Sequence, residues 1–347
     1  MAGGTGGHVY PGLAVAERLQ DAGIAVAWLG TAEGIESRLV PAAGIALHTI
    51  RVHGLRGSGW RRWLYAPYAV GRAVVSALRV LRDVQPTAVL GFGGFASGPG
   101  GVAAWLTGRP LLVHEQNARP GLTNRLLARL ARRVLEAFPN TFSGEREVFH
   151  TGNPVRSAIV RVAPYAPPVG TVRILVLGGS QGALYLNQTV PAALSVVSTH
   201  HPLQVWHQCG PAHLDVTGAA YRDAGGQAEV TAFIEDMAHA YAWAHLVIAR
   251  AGAMTVAELA AAGRPALLVP FPYAVDDHQA HNAMYLADRD AAVWVRQAEA
   301  DAANLAARLS ALLDDAETLP RMAASARAAA RPDAGACVAE HCREVMA

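Results

Sequence analysis

Two glycine-rich stretches have residue types that can hold an oxyanion: GGTGGH (3–8) and GGSQGA (178–183). Each runs into a segment with helical periodicity. A helix entered through glycines presents unpaired N–H groups and the positive end of the helix dipole, which favour a phosphate or sugar oxygen. Neither stretch has the G-x-G-x-x-G spacing, and the strand expected over 24–30 ends in Leu29-Gly30 rather than an acidic residue, so the dinucleotide fingerprint is missing. The plainer reading of either loop is a tight turn. His8 closes the first loop. An imidazole titrating near pH 6.5 can take a proton from a hydroxyl, or it can orient substrate or cap the loop.

A third stretch, AGAMTVAEL (251–259), turns tightly into a helix. The backbone of Ala253, Met254 and Thr255 can face a diphosphate. Glu258, one turn on, can accept two hydroxyls, or can simply sit favourably near the positive helix end. The string Asp288-Arg289-Asp290 reads as a solvated helix end rather than a metal site. Cys209, Cys337 and Cys342 form an odd, sparse set. Cys337 and Cys342 flank His341 without a second ligand pair and read as reduced helix-surface thiols. No metal and no cofactor is expected.

These groups need a scaffold, and short apolar runs alternating with amphipathic ones predict it. Strands are expected in 24–30, 87–94, 110–117, 172–182, 203–210, 229–234, 244–252 and 264–272. Helices are expected over 11–22, 67–83, 121–132, 183–197, 255–262, 278–288 and 302–313. Such alternation implies parallel sheets covered by helices on both faces. The Pro/Gly-rich segment 161–171 predicts a linker between two α/β halves, 1–160 and 161–333, with a last helix over 334–347. The chain has 347 residues, is 52% hydrophobic and 16% charged, and carries a formal net charge of +2, which argues against a general nucleic-acid binder. No signal peptide or apolar run of about 20 residues is visible, so membrane contact would be peripheral. The stretch 50–70 mixes Arg51, Arg56, Arg61 and Arg62 with Trp60, Trp63, Tyr65 and Tyr68. It suits an anionic interface, or an ordinary exposed loop and helix start.

Several blocks, in order along nearly the whole chain, resemble the MurG family of glycosyltransferases: GGTGGHVYPGLAVA, GFGGFASGPG, HEQNARPGLTN, TGNPVR, LGGSQGALYLN, FIEDMAHAYAWA, RAGAMTVAELAAAGRPALLVPFP and DDHQAHNA. The resemblance implies a GT-B fold, two Rossmann-like domains with parallel sheets facing across a cleft, with the last helix packed back on the first domain. It implies inverting transfer of N-acetylglucosamine from UDP-N-acetylglucosamine to lipid I, giving lipid II at the cytoplasmic face of the bacterial inner membrane. Other cell-wall synthesis or division proteins are implied as partners, and nucleic acid is not.

Within that reading the imidazole of His8 is the leading candidate for the base that deprotonates the acceptor hydroxyl, and Thr5, Gly6 and Gly7 present backbone N–H groups to the donor or acceptor diphosphate. By the resemblance Ser180 and Arg156 meet the donor phosphates; a salt bridge at the domain boundary is the alternative for Arg156. Ile234 lies under the uracil, or is plain core. Residues Ala253, Met254, Thr255, Val256, Ala257 and Glu258 line the nucleotide, with Glu258 on the ribose. Asn117 and Gln279 contact the donor, Gln279 at its sugar hydroxyls, while Glu115 is a supporting acceptor or satisfies loop N–H groups. The sequence departs from the family pattern at Phe95, Ala251 and Ala257, where tyrosine, serine and serine are common. Relatives also carry an apolar strand before the first glycine loop, so a start upstream of Met1 is expected. Competing readings are a UDP-N-acetylglucosamine 2-epimerase, a glycolipid glycosyltransferase, a nucleotide-sugar binding module and a nicotinamide oxidoreductase.

Overall fold

The computed structural model describes residues 1–52, 60–142, 147–179 and 181–346, with the backbone alone for 60–66 and 275. The chain forms two compact units, Met1–Arg156 with Pro332–Ala347, and Ser157–Arg331. The Pro/Gly-rich segment 161–171 thus falls inside the second unit.

The first unit runs α1 (Gly6–Asp21), β1 (Ala27–Gly30), α2 (Glu36–Ala42), β2 (Ala46–Thr49), α3 (Trp60–Val84), β3 (Val89–Gly91), α4 (Ser97–Leu106), β4 (Leu111–Glu115), α5 (Leu122–Leu127), β5 (Arg133–Glu136) and β6 (Val148–His150). The second runs α6 (Ser157–Val160), β7 (Val172–Leu177), α7 (Leu184–Val197), β8 (Leu203–Gln208), α8 (Leu214–Asp223), β9 (Glu229–Thr231), α9 (Met237–Trp243), β10 (Leu246–Ala249), α10 (Ala253–Ala262), β11 (Ala266–Leu268), α11 (His278–Ala287), β12 (Ala292–Trp294), α12 (Ala302–Leu313) and α13 (Thr318–Ala329). Helix α14 (Ala334–Met346) returns to the first unit, where it packs on α1.

Every strand pairing is parallel. In the second unit the order is β12-β11-β10-β7-β8-β9, the doubly wound order that reverses between β7 and β10. Ligand crevices form beyond the carboxyl ends of strands at such a reversal. The segments that follow β7 and β10 are GGSQG and RAG, so both glycine turns of this unit open at that point. The first unit divides its strands into a β1–β2 pair and a β3-β4-β5-β6 sheet. Met1 and Ala2 lie between the two: Phe92 N donates to Met1 O at 2.9 Å, and the Trp28 indole donates to Ala2 O at 2.9 Å.

The period-2 alternation of strands places the cores. Leu112 and Leu135 join Val9, Val15, Trp28 and the α14 residues Val338 and Val345 on one face, while Leu111, Val113 and Val134 join Ala77 and Leu127 on the other. In the second unit Ile174, Val176, Leu246 and Leu267 pack against α7 and α12. Helix α10 is buried on nearly all sides, as its Ala-rich, almost uncharged sequence requires.

One boundary differs from expectation. Helix α1 begins at Gly6 rather than near residue 11, because His8 N and Val9 N both reach Thr5 O at 3.2 Å and close the first turn. His8 is therefore a helical residue.

Candidate active site

In the first unit the glycine segment 3–7 lies against the GFGG turn. Gly94 has φ +81°, and a Cβ there would sit 2.3 Å from Gly3 O, so two backbones touch where only glycine fits. Gly93 faces the imidazole: a Cβ on it would lie 3.2 Å from both His8 Nε2 and Asn124 Nδ2. His8 is half-buried, and its Nδ1 lies 3.1 Å from Thr5 Oγ1. Thr5 is the extended residue preceding the helix, and Gly6 and Gly7 occupy its first turn, where backbone N–H groups have no intrahelical acceptor.

Beneath this surface Glu115 ends β4 as a buried carboxylate. Its Oε1 accepts from Asn117 N at 2.9 Å and Asn117 Nδ2 at 3.1 Å. Its Oε2 accepts from Gly121 N at 3.0 Å and Asn124 Nδ2 at 2.9 Å. Glu115 thus ties Asn117 to the asparagine beside His8. His114 is buried between Gly152 O, 3.0 Å from Nε2, and Gln116 Nε2, 3.0 Å from Nδ1. The carbonyl fixes the Nε2–H tautomer, and burial pushes the imidazole down to about 4. Glu36 braces the glycine segment from below. It accepts from Gly4 N at 3.0 Å and from Thr31 N and Oγ1 at 2.9 and 2.6 Å. Burial alone would raise its carboxyl, but these hydrogen bonds hold it below the usual carboxylate range. Arg156 ends the unit with its guanidinium 4.8 Å from the Tyr10 ring centroid.

In the second unit Ser180 falls outside the described residues. The rest of its loop is held tightly. Gly182 has φ +78°, and a Cβ there would lie 1.9 Å from Cys209 O. Asn187 Nδ2 donates to that same carbonyl at 2.9 Å, and His207 Nε2 lies 3.0 Å from Asn187 Oδ1. Because Asn187 spends its amide on Cys209, its oxygen must accept, which makes His207 a neutral Nε2–H donor with Tyr221 on its other nitrogen at 2.9 Å. Burial holds His207 down at about 3.

Gly252 leads into α10, whose first turn is Ala253, Met254 and Thr255, followed by Val256 and Ala257. Glu258 is 7% exposed, and Ile234, buried, lies three residues beyond β9 rather than within it. Gln279 is the second residue of α11, and its Oε1 accepts from Phe271 N at 2.9 Å. Arg250 holds the same segment through Val269 O and Pro270 O, both at 3.1 Å. Asp276 and Asp277, immediately before Gln279's helix, have φ of 52° and 51°, a sparsely populated conformation for side chains with a Cβ. Asp288 and Asp290 are exposed at the end of α11.

Of the expected residues, the fold therefore places Thr5, Gly6, Gly7 and His8 in one helix start beside the GFGG turn and ties Asn117 to it through Glu115 and Asn124. It places Glu258 with residues 253–257 at the strand reversal of the second. Asn124, Glu36, Asn187 and Arg250 were not singled out from the sequence. Asn124 and Asn187 lie in the quoted GLTN and ALYLN blocks, and only tertiary contact reveals what they hold. Among the described residues no cluster of His, Cys, Asp or Glu could hold a metal ion, and no helix is long and apolar enough to cross a membrane.

Comparison with known proteins extends this picture. Residues 1–136 match the glycosyltransferase family 28 N-terminal domain, and residues 173–336 match the glycosyltransferase family 28 C-terminal domain. A protein of Ectopseudomonas mendocina (strain ymp), UDP-N-acetylglucosamine--N-acetylmuramyl-(pentapeptide) pyrophosphoryl-undecaprenol N-acetylglucosamine transferase, is 54% identical over 347 residues, covering 100% of this chain and 98% of its own. The crystal structure of Acinetobacter baumannii MurG superposes with a TM-score of 0.82 at 42% identity, covering 99% of this chain and 98% of that one. A UDP-GlcNAc 2-epimerase from Neisseria meningitidis superposes with a TM-score of 0.71 at 14% identity, over 98% of each chain, a likeness of fold alone. Identity of this extent over the full length leaves one assignment: the chain has the GT-B fold and belongs to glycosyltransferase family 28, among the MurG transferases.

Proposed function

We propose that the chain is an inverting glycosyltransferase that moves N-acetylglucosamine from UDP-N-acetylglucosamine to lipid I, undecaprenyl-diphospho-N-acetylmuramoyl-pentapeptide, and so forms lipid II for peptidoglycan. The observation that carries this reading is the 54% identity to a transferase of that name, spread over the whole chain. The geometry of each unit supports it separately.

The second unit supplies the donor side. The first turn of α10 and the N-terminus of α7 offer backbone N–H groups and helix dipoles for a diphosphate. Glu258 accepts the ribose hydroxyls, Ile234 lies under the uracil, and the Ser180 hydroxyl donates to a donor phosphate; Arg156, which closes the first unit, is proposed as the cation for departing UDP. Gln279 contacts the sugar hydroxyls, and Asn117 of the first unit is a further proposed donor contact. The first unit supplies the acceptor side. With Thr5 Oγ1 accepting from Nδ1–H, the basic lone pair of His8 lies on Nε2. The acceptor oxygen attacks the anomeric carbon opposite the phosphate and passes its proton to that nitrogen. The carbon–oxygen bond to the phosphate breaks, UDP departs with the electron pair, and the anomeric configuration inverts.

Acting on lipid I, which is membrane-bound, the enzyme is proposed to work at the cytoplasmic face of the bacterial inner membrane. Exposed apolar side chains on neighbouring helices of the first unit support peripheral docking there: Tyr68, Trp105, Leu106, Leu122 and Leu126, with Arg72, Arg125 and Arg129 also exposed. In the stretch 50–70, residues 53–59 and the side chains of 60–66 lie outside the described residues. Other cell-wall synthesis or division proteins are the proposed partners, and nucleic acid is not.

A UDP-release assay separates this reading from an epimerase. UDP should appear only when both UDP-N-acetylglucosamine and a lipid I analogue are present. UDP-N-acetylmannosamine formed without acceptor would overturn it.

A further inference from the structure

The second unit contains a buried contact that the proposed chemistry does not use. Tyr241 on α9 is fully buried, and its hydroxyl donates to Glu258 Oε2 on α10 at 3.0 Å. Its backbone carbonyl accepts from Arg264 Nε at 2.5 Å, and Arg264 also donates to Ala262 O and Gly263 O at the end of α10, at 2.9 and 3.2 Å. The phenol is therefore fixed at its backbone by the end of α10 and at its tip to the middle of the same helix. The helix that carries it begins three residues after Ile234. Its N-terminus is closed by Asp236, which accepts from His239 N at 2.9 Å.

A glutamate needs such a partner to act as a ribose acceptor. The terminal torsion of its side chain is broad, so the rotamer alone does not set the carboxylate plane. At 7% exposure the ionised group also requires donors, because an ionised carboxylate only accepts. A rigid phenol supplies both orientation and a donor. We propose that Tyr241 is a positioning residue that sets the Glu258 carboxylate to receive ribose hydroxyls and so gives the site its preference for ribonucleotide over deoxyribonucleotide. This rests on the donor-site reading above.

The test is the ratio of Kd for 2′-deoxy-UDP to Kd for UDP, measured by calorimetry on the full chain. A hydroxyl held by a charged acceptor makes this ratio roughly 10 or more in the wild type. Tyr241→Phe should lower it at least about threefold. Glu258→Gln should bring it near 1, and adding Tyr241→Phe to Glu258→Gln should lower it no further. A purely structural tyrosine would weaken both ligands equally and leave the ratio intact. A high wild-type ratio unchanged in Tyr241→Phe overturns the role of Tyr241 while the donor-site reading stands. A wild-type ratio near 1, or no UDP binding, overturns the donor-site reading and this inference with it.

Discussion

Glu115→Gln is a one-atom exchange with a calculable consequence. Each carboxylate oxygen accepts two hydrogen bonds, from Asn117 on one side and from Gly121 and Asn124 on the other. A glutamine in either orientation turns an NH2 group toward one of these pairs, so two bonds to a charged acceptor are lost and donors confront donors. Bonds of this kind contribute about 1.5–3 kcal/mol each. Allowing the asparagines to rotate, the variant loses about 3 kcal/mol in the first unit. For a unit of this size that corresponds to a melting temperature lower by about 6–12 °C. The same displacement loosens Asn117 and the Asn124 amide beside His8. If the loss is felt in the transition state, turnover falls about 100-fold. UDP affinity, carried mainly by the second unit, should change less than about threefold. Calorimetric melting and steady-state transfer read both effects. A variant that melts within about 1 °C of the wild type and turns over within about twofold of it would refute the claim that this carboxylate organises the acceptor side.

His8→Ala should lower turnover by about 10²–10⁴ while UDP Kd stays within about twofold, as a base that touches only the reacting hydroxyl requires; equal losses in both would make His8 a binding group. Gly182→Ala forces a Cβ onto Cys209 O at a positive φ, which should cost the second unit about 3 kcal/mol and weaken UDP binding at least about tenfold, measured by calorimetry. His114 and His207 are held at about 4 and about 3 by burial, against 6.5 unfolded. Between these values the unfolded chain binds more protons, so the stability they contribute is complete above pH 6.5 and lost as pH falls toward 4. Each of these two histidines should contribute a loss of about 2 kcal/mol between pH 7 and pH 5, read as the difference in urea titrations between the wild type and a His→Gln variant, and no difference would contradict the buried neutral tautomers.

The alternation of apolar and amphipathic runs made the two α/β halves legible, because a parallel sheet buried on both faces must be written as runs such as VRILVL and LVIA. The strands that the sequence pattern does not show are β2, β5, β6 and β12, each of only three or four residues, too few to show a period. The start of α1 was missed because glycine and threonine signal a turn, whereas Thr5 O here closes a helical turn. Glycine loops and charged residues near helix starts were visible as local patterns. The groups that hold them were not. Glu36 looks like a surface charge at a helix start, yet Gly4 and Thr31 enclose it. Asn187 and Tyr241 sit in helices that read as ordinary amphipathic segments, and their partners lie 22 and 17 residues away. Such roles belong to tertiary contact, which residue spacing does not encode.

The most direct measurement is of the product formed by the full chain with radiolabelled UDP-N-acetylglucosamine and a lipid I analogue in detergent. An inverting transferase yields a labelled, lipid-linked disaccharide with a β-glycosidic bond, formed in step with UDP. A folded, UDP-binding protein that yields no lipid-linked label, or yields the α-linked disaccharide, would contradict the proposed function.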